Sequence, residues 1–416
     1  MEVVMRSIVN VIFVLAIALP IELTLSQTTW KKFQGNPIVP NSREIDWVYS
    51  ASVLYDESDG MYKMWYSALL RSTPFLQVMY ATSYDGIGWH QNIVDPVLES
   101  GSFGEFDYGG ISDPCVLYAD GEYKMYYTGQ AGNSWQTGLA TSQDGIQWTK
   151  HSSNPVLGIG SGWESVGHGS VEVSYEDGIY RMLYSGFDGS KHMIGLATSS
   201  DGILWTRYSG NPVFRPATSG NWDSFSVFAS AHFVYQGQFY LFYVGKPQNG
   251  IGLTTSPDAI TWTRIRSTPI ISPGAFGTWE STILTGSMVL RDGSPQFWYT
   301  GFGSTYQIGF AYTDIGALTS ISQPLASGRT SKLAVGNYPN PSNPATKIWY
   351  VLPVQGEVNV TVFNLLGERV ATLVEEVESQ GYHEVKWLPE SSPSGIYYYR
   401  VFAGKESVVR SIVLVR

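Results

Sequence analysis

A 15-residue segment recurs four times along the chain, at Ser83–Val97, Ser142–Val156, Ser199–Val213 and Ser256–Ile270. Each copy holds an Asp in a turn, a Trp four residues after that Asp, and a Pro seven residues after that Trp. The spacings between the four aspartates are 59, 57 and 57 residues. A period of this length with strand-like content is typical of propeller blades, each built from four antiparallel strands.

The second copy shows how one repeat unit is built. The Asp120-Gly121 pair favours a hairpin, because Gly tolerates the positive φ that a tight turn needs. Asn154-Pro155 ends the unit, because Pro lacks an amide hydrogen and fixes φ. From the inner to the outer edge, the predicted strands are Gly109–Tyr118, Glu122–Thr128, Gly138–Ser142 and Ile146–Lys150.

The chain contains five segments of the second-strand type, which are Met61–Ala68, Glu122–Gly129, Ile179–Gly186, Gln238–Gly245 and Pro295–Gly301. The fifth unit loses the repeat after its third strand and lacks an outer strand. The segment Trp30–Ile38 carries the second half of the repeat, with Trp30 seven residues before Pro37. We therefore predict an all-β, five-bladed propeller over residues 27–318, closed by an N-terminal strand that pairs with blade five. Closure removes exposed sheet edges.

Composition narrows the class of partner. Only 14% of the 416 residues are charged, against about 25% in typical soluble domains. The net charge of −10 and pI near 5.1 argue against a nucleic-acid partner, because phosphate binding requires clustered Lys and Arg. Cys115 is the single cysteine, so the chain forms no internal disulfide. We expect a monomer that binds no nucleic acid.

The N-terminus has the pattern of a signal peptide over residues 1–26. One basic residue, Arg6, precedes the apolar run Val9–Pro20, and the small residues Thr24 and Ser26 fit a cleavage site before Gln27. A membrane anchor is the alternative, but the apolar run is too short to span a bilayer. The pattern predicts export.

The repeat ends before a polar segment, residues 319–335, that we interpret as a linker. Residues 336–416 then alternate as strands and predict a small Ig-like β-sandwich. The elements Y-P-N-P-S-N-P, N-L-L-G, G-Y-H and S-G-I-Y-Y-Y-R occur in that order and closely resemble the type A sorting domain of the type IX secretion system. This resemblance implies that the type IX machinery of a Bacteroidota-like bacterium is a partner, with the protein secreted or held at the outer-membrane surface.

Ionisable side chains interrupt the innermost strands when these are aligned on their hairpin turns. One register holds Ser50, Asp113, Ser170, Ser230 and Thr285. Two residues later, the same face holds Ser52, Cys115, Glu172, His232 and Ser287, and two residues earlier it holds Val48, Ile111, His168, Phe228 and Ile283. A repeat explains a residue that recurs but not one that differs. The candidate functional residues are therefore Asp113, Glu172, His168 and His232, with a buried, hydrogen-bonded polar group as the alternative for each.

A second acidic set recurs at the strand entrances of all five blades and comprises Asp46, Asp107, Glu164, Asp223 and Glu280. Recurrence favours a structural role in turns or caps, although one member is available for catalysis. Aromatic residues near the same entrances are candidates for stacking on sugar rings, whose C–H faces are apolar. Packing in the core is the alternative for each of these aromatics, which are Trp47, Tyr49, Tyr108, Trp163 and Trp222.

Blade two reads S-D-P-C-V-L-Y-A-D-G-E-Y-K-M-Y-Y, which is similar to the D-P…D-G-x-Y-Y pattern of glycoside hydrolase family 43. The whole propeller resembles the superfamily that includes families 43, 32, 62 and 130. In family 43, a blade-one Asp is the general base, a blade-two Asp tunes a pKa and a blade-three Glu is the general acid. The resemblance implies Asp113 for the second role and Glu172 for the third. Blade one has Ser50 at the aligned position, so Asp46 is the nearest substitute for the base.

The resemblance implies a glycoside hydrolase that acts on polysaccharide or oligosaccharide with inversion. Such an enzyme places one carboxylic acid at the leaving oxygen and one carboxylate at the attacking water, about 6.5–9.5 Å apart. His168 and His232 are then expected to bind substrate. Because Ser50 replaces the blade-one Asp, a non-catalytic glycan-binding propeller is the alternative, and a structural surface scaffold is a third. This chemistry requires no cofactor. Binding of a structural Ca²⁺ on the propeller axis is an open alternative.

Overall fold

Pairing between the first and last strands of the propeller closes a ring of four-stranded sheets. The computed structural model describes residues 29–57, 59–91, 95–235, 237–291, 294–313, 333–338, 342, 344–352, 354–379, 381–389, 392–404 and 406–415. The predicted signal peptide, residues 1–26, and most of the predicted linker lie outside these residues. Over the described ranges, no helix is long and apolar enough to cross a membrane.

Each blade is antiparallel, and its strands follow one another from the axis outward. Blade one is β2 (Ile45–Asp56), β3 (Met61–Leu70), β4 (Leu76–Ser83) and β5 (His90–Gln91). Blade two is β6 (Ile111–Ala119), β7 (Glu122–Ala131), β8 (Ser134–Ser142) and β9 (Thr149–Lys150). A 3-10 turn, Gly162–Glu164, leads into blade three, which is β10 (Gly167–Glu176), β11 (Ile179–Phe187), β12 (His192–Ser199) and β13 (Thr206–Arg207). Blade four is β14 (Ser226–Tyr235), β15 (Gln238–Lys246), β16 (Gly250–Ser256) and β17 (Thr263–Arg264).

Blade five takes its outer strand from the N-terminus. It is built from β18 (Thr282–Arg291), β19 (Ser294–Phe302), β20 (Tyr306–Thr313) and β1 (Trp30–Lys32). In the β1–β20 pair, Trp30 lies opposite Thr313. An ion pair of 2.9 Å between Lys32 Nζ and Glu280 Oε1 adds to this closure. The predicted five-bladed ring closed by an N-terminal strand is confirmed.

The recurring Asp-Gly turn links blades one, two and three each to a neighbouring blade. In blade two, Asp144 Oδ1 accepts the amides of Ile146 and Gln147 at 2.8 Å, as expected for an Asx turn. The carbonyl of Gly145 then accepts a hydrogen bond of 2.7 Å from the indole of Trp65 in blade one. Equivalent bonds run from Trp298 to Gly86 and from Tyr126 to Gly202. The repeat is therefore the outer hairpin of a blade, and its chemistry is structural.

Every innermost strand carries a bulge near its start. The shifts in register lie between Tyr49 and Ala51, Ser112 and Cys115, Gly169 and Glu172, Ala229 and Ala231, and Ile283 and Gly286. In blades one to three, the bulge residue has positive φ, with values of 52° at Ser50, 50° at Asp113 and 47° at Ser170. A bulge redirects a side chain from the regular pleat. The register aligned from sequence thus coincides with the bulges.

The C-terminal strands form two further sheets. One contains β21 (Ala334–Tyr338), β22 (Thr346–Leu352) and β25 (Gly381–Trp387). The other contains β24 (Arg369–Glu378), β23 (Gly356–Phe363), β26 (Gly395–Ala403) and β27 (Glu406–Leu414), in that spatial order. Ile348 from the first sheet and Val360 and Tyr399 from the second share one buried core, as expected for a sandwich. The first strand begins at Ala334, within the segment predicted as linker.

Candidate functional site

A cavity of about 240 Å³ lies at the end of the ring where the innermost strands begin. Blades one to four all contribute to it. Its polar lining includes Ser112, Asp113, Thr128, Gln130, His168, Ser170, Ser185 and His192. Its apolar lining consists of Tyr49, Leu76, Trp135, Phe187 and Phe228. Aromatic walls with a few convergent polar groups are typical of small-molecule sites, which makes this cavity the candidate active site.

The β6 bulge presents Asp113 to the cavity. Asp tolerates the left-handed backbone region better than most residues, which suits its φ of 50°. The Asp113 amide donates to Ser67 Oγ of blade one at 3.0 Å, which fixes the bulge. The carboxylate accepts hydrogen bonds from Ser50 Oγ at 2.6 Å and from Ser112 Oγ at 3.1 Å. Burial raises the pKa of Asp113, and the bonds from Ser50 and Ser112 oppose that rise.

Glu172 lies one register deeper, on the innermost strand of blade three. The neighbouring Cys115 Sγ accepts the amide of Val173 at 3.2 Å, whereas the Glu172 carboxyl contacts no hydrogen-bonding group among the described residues. Burial raises the pKa of Glu172 well above its usual value, and the charge of Asp113 adds to the rise. Because the charge of Asp113 acts on Glu172, the two carboxyls are electrostatically coupled.

The two histidines predicted to bind substrate differ in their placement. His168 borders the cavity, but Nε2 donates to the Gly158 carbonyl at 3.1 Å and Nδ1 lies 3.2 Å from Thr137 Oγ1. Burial lowers the pKa of His168 to about 4, so the ring is neutral, and its two contacts hold it against blade two. His232 shares the register of Glu172 and does not border the cavity. Burial lowers the pKa of His232 to about 4, and the charge of Arg181 contributes.

The recurring acids at the strand entrances stabilise their own blades. Asp107 accepts a hydrogen bond of 3.1 Å from Tyr127 and pairs with Lys150 at 2.6 Å. The same set of acid, second-strand Tyr and outer-strand cation recurs as Glu164–Tyr184–Arg207, Asp223–Tyr243–Arg264 and Glu280–Tyr299–Lys32. The structural role predicted from their recurrence is confirmed for these four.

Asp46 is the one acid of this set without that arrangement, and it lies outside the cavity lining. Its carboxylate pairs with Arg71 Nε at 2.7 Å, and its side chain is 44% exposed. The structure therefore does not bring Asp46 together with Asp113 and Glu172. The predicted general-base role of Asp46 finds no support in this geometry, because an ion pair with Arg71 occupies the carboxylate.

Two of the predicted sugar-stacking residues are core residues. The indole of Trp163 covers Gly186 and Gly195, where an added Cβ would lie 2.3 and 2.6 Å from the ring. Trp222 covers Gly245 and Gly252 in the same way and is 5% exposed. Tyr108 packs on Phe103 in the loop before blade two, with ring centroids 5.2 Å apart, and does not border the cavity. Packing, the alternative weighed from the sequence, explains Trp163 and Trp222.

Of the other two predicted aromatics, Tyr49 borders the cavity and Trp47 does not. Trp47 is 39% exposed and lies two residues before Tyr49 on the same strand. Both rings contact Tyr306 of blade five, with centroids 5.5 Å away for Tyr49 and 5.2 Å away for Trp47.

Among the lining residues that sequence reasoning did not single out are the three rings of Trp135, Phe187 and His192, and Phe228 was named only as a member of a register. The imidazole of His192 stacks on Phe187 at 4.3 Å and lies 4.2 Å from the Phe228 ring. Burial lowers the pKa of His192 to about 4, so it acts as a neutral ring in this wall. A comparison of third strands, which begin with Leu76, Ser134, His192, Gly250 and Tyr306, would have identified the variable position.

Among the side chains that the structure describes, no group of three or more His, Cys, Asp or Glu residues is arranged to hold a metal ion. A structural Ca²⁺ on the axis therefore gains no support from these residues and stays a prediction.

Comparison with protein families identifies two segments. Residues 27–159, which hold the closing strand and blades one and two, match the glycoside hydrolase family 130 model, described as β-1,4-mannooligosaccharide phosphorylase. The match is to family 130 and not to family 43, so the prediction of a family 43-like enzyme is not supported. Residues 337–415 match the secretion system C-terminal sorting domain. This domain indicates export, with release or attachment at the outer-membrane surface.

Individual proteins show the same relationship. An uncharacterized protein of Mycobacterium tuberculosis is 30% identical over 159 residues, which are 36% of this chain and 50% of the relative. The chain thus spans about half the length of the curated relatives it matches first. A structure of family 130 enzymes that target β-1,2 mannosidic linkages in Candida mannan has a TM-score of 0.56 and 20% identity, covering 68% of this chain and 93% of the other. The β-1,2-mannobiose phosphorylase of Listeria innocua has a TM-score of 0.55 and 13% identity, covering 70% of this chain and 98% of the other. At these identities the two structures establish a shared fold.

Proposed function

We propose that this chain is an exported enzyme that cleaves glycosidic bonds of β-linked mannosides, with Asp113 as the general acid. The observation that carries the proposal is the placement of Asp113, whose bulge presents a carboxyl of raised pKa to an aromatic-lined cavity. An acid catalyst at neutral pH requires such a raised pKa. The substrate class is supported by the matched family and by two similar structures, all of which are named for β-linked mannosides.

In the proposed reaction, Asp113 gives a proton to the glycosidic oxygen as the bond between that oxygen and the anomeric carbon breaks. A nucleophile forms a new bond to the anomeric carbon from the opposite face, so the configuration inverts. Glu172 contacts no substrate from its deeper register. It acts through Asp113, because the two carboxyls are electrostatically coupled.

The nucleophile is either water or inorganic phosphate. Water needs a second carboxylate to take its proton, about 6.5–9.5 Å from the acid. Of the described residues that line the cavity, Asp113 is the single carboxylate. Phosphate arrives as an anion and needs no general base, so the single lining carboxyl suits phosphorolysis, whereas hydrolysis requires a base from outside this lining. The distinction is made by the product, which is a free sugar with water and a sugar 1-phosphate with phosphate.

The test is Asp113→Asn, assayed on β-1,4- and β-1,2-mannooligosaccharides with and without phosphate. Asn keeps the shape and tolerates positive φ, so the fold should be retained. We expect kcat/KM to fall about 10²- to 10⁴-fold, the usual contribution of a general acid. Asp177→Asn is the matched control, because Asp177 is also left-handed, with φ of 53°, but lies in an exposed hairpin turn. Unchanged activity in Asp113→Asn would refute the assignment.

A non-catalytic glycan-binding propeller is the second candidate. It is favoured by Ser50, which stands where family 43 has its base and instead donates to Asp113 at 2.6 Å. A carboxylate held by two hydroxyl donors is well placed to accept hydrogen bonds from sugar hydroxyls. This candidate predicts that wild type and Asp113→Asn bind mannooligosaccharides without releasing product, with or without phosphate.

A further inference from the structure

The cavity is too small to enclose an oligosaccharide. Its volume is about 240 Å³. Sites that enclose a drug-sized ligand usually measure about 300–1,000 Å³. A cavity of this size accommodates about one sugar unit, so the remaining units of a longer chain must lie on the surface beside it.

One side of the cavity is a wall of stacked rings. His192 lies between Phe187 and Phe228, with centroid distances of 4.3 and 4.2 Å. The Lys246 ammonium covers the Phe228 ring at 4.9 Å. This wall joins blades three and four, and both faces of the imidazole are covered by its two neighbours.

On the blade-one side, aromatic rings continue from the cavity to the surface. Tyr49 lines the cavity and contacts Tyr306, and Tyr306 contacts Trp47, which is 39% exposed. A hydrogen bond of 2.6 Å from Thr305 Oγ1 to the Asp46 carbonyl fixes the blade-five hairpin against blade one. The three rings are therefore preorganised as a continuous aromatic track, defined as Tyr49, Tyr306 and Trp47.

We propose that this aromatic track binds the sugar units that follow the one in the cavity, so that the site selects chains of three or more units over a disaccharide. The proposal rests on the proposed function for the choice of glycan. Rings held in place present an apolar face to the C–H face of a sugar at little entropic cost, which suits repeated stacking along a chain. The track begins at the cavity that holds Asp113, so its occupant is the remainder of the same chain.

The test measures binding in the Asp113→Asn background, where turnover does not consume the ligand. Affinity for β-1,4- and β-1,2-mannooligosaccharides of two to six units is measured by calorimetry. We expect affinity to increase from two to four sugar units. Trp47→Ala should lower the affinity for the longer chains about three- to tenfold and leave the affinity for the disaccharide unchanged. Tyr306→Ala should act in the same direction.

Tyr118→Ala is the matched control, because Tyr118 is 60% exposed, packs on one ring, Tyr123, and lies at the far end of its strand from the cavity. Three outcomes overturn the proposal. The first is affinity independent of chain length, the second is an equal loss for the disaccharide and longer chains in Trp47→Ala, and the third is no binding of either series. Only the third outcome, together with no turnover by wild type, would also overturn the proposed function.

Discussion

Replacing Glu172 with Gln tests whether a proton held by two carboxyls controls activity. Gln keeps the shape of Glu but cannot ionise. In the native chain, burial and the charge of Asp113 raise the pKa of Glu172 well above its usual value. If the singly protonated pair is the acid, activity is lost as pH rises and the pair loses its last proton. In Glu172→Gln, Asp113 holds a proton alone and loses it at lower pH.

The size of the effect follows from the interaction of neighbouring carboxyls. An opposite charge within about 4–6 Å lowers a carboxyl pKa by about 1–3 units, and a like charge acts in the upward direction. We therefore expect the alkaline limb of the kcat/KM profile to move down by about 1–3 pH units, with about tenfold or greater loss at neutral pH. The assay is the pH profile of mannooligosaccharide cleavage between pH 4 and 9. Glu176→Gln, at the far end of the same strand, is the control.

Stability gives a second measure of the same change, independent of activity. Because the folded-state pKa of Glu172 is raised, its carboxyl costs no stability below the usual Glu pKa and destabilises the fold increasingly as pH rises toward the folded-state value. Glu172→Gln should therefore raise Tm at pH 8 more than at pH 4. An unchanged pH profile together with an equal Tm change at both pH values would refute the coupled pair.

Two further predictions concern the ring. Lys32→Ala should destabilise the propeller by about 1–3 kcal/mol in thermal unfolding, because it leaves the partly buried Glu280 carboxylate without its cation. Adding Glu280→Gln to Lys32→Ala should recover part of this loss. Free-energy changes of the two single variants that simply add in the double variant would contradict the reasoning. Gly195→Ala should destabilise by about 1–3 kcal/mol, because its Cβ would lie 2.6 Å from Trp163. Gly158→Ala, whose Cβ would lie an ordinary 3.5 Å from its nearest neighbour, should change the Tm little, and equal effects would contradict the packing role of Trp163.

The parts of the fold that were predictable depend on local chemistry. The Asp side chain of each turn accepts hydrogen bonds from amides two or three residues later, as at Asp144. The turn is therefore predictable from its own short sequence. The N-terminal half-copy was recognisable from its spacing, with Trp30 seven residues before Pro37. The inner-strand register was also found, because a bulge occurs in every blade and an alignment on hairpin turns preserves it.

The parts that were not predictable depend on contacts between distant strands. The sequence does not show that Arg71, from the next hairpin, forms an ion pair with the Asp46 carboxylate. Nor does it show that Trp163 fills the space above Gly186 and Gly195, which belong to two later strands. The cavity wall formed by Phe187, His192 and Phe228 joins two blades, so an alignment of innermost strands alone does not bring its three rings together.

The register that contains Glu172 shows why departures from a repeat indicate function. At this level Ser52, Cys115 and Ser287 each accept a backbone amide of the next blade, at 2.9, 3.2 and 2.9 Å. Each such bond stabilises the fold by about 1 kcal/mol. Glu172 and His232 occupy the remaining two positions and make no such bond among the described residues. A serine at either position would stabilise the ring better, and an ionisable group there also carries a cost of burial. The burial of Glu172 destabilises the ring and also raises the pKa of the Glu172 carboxyl. The same burial therefore favours a proton on the carboxyl pair beside the cavity.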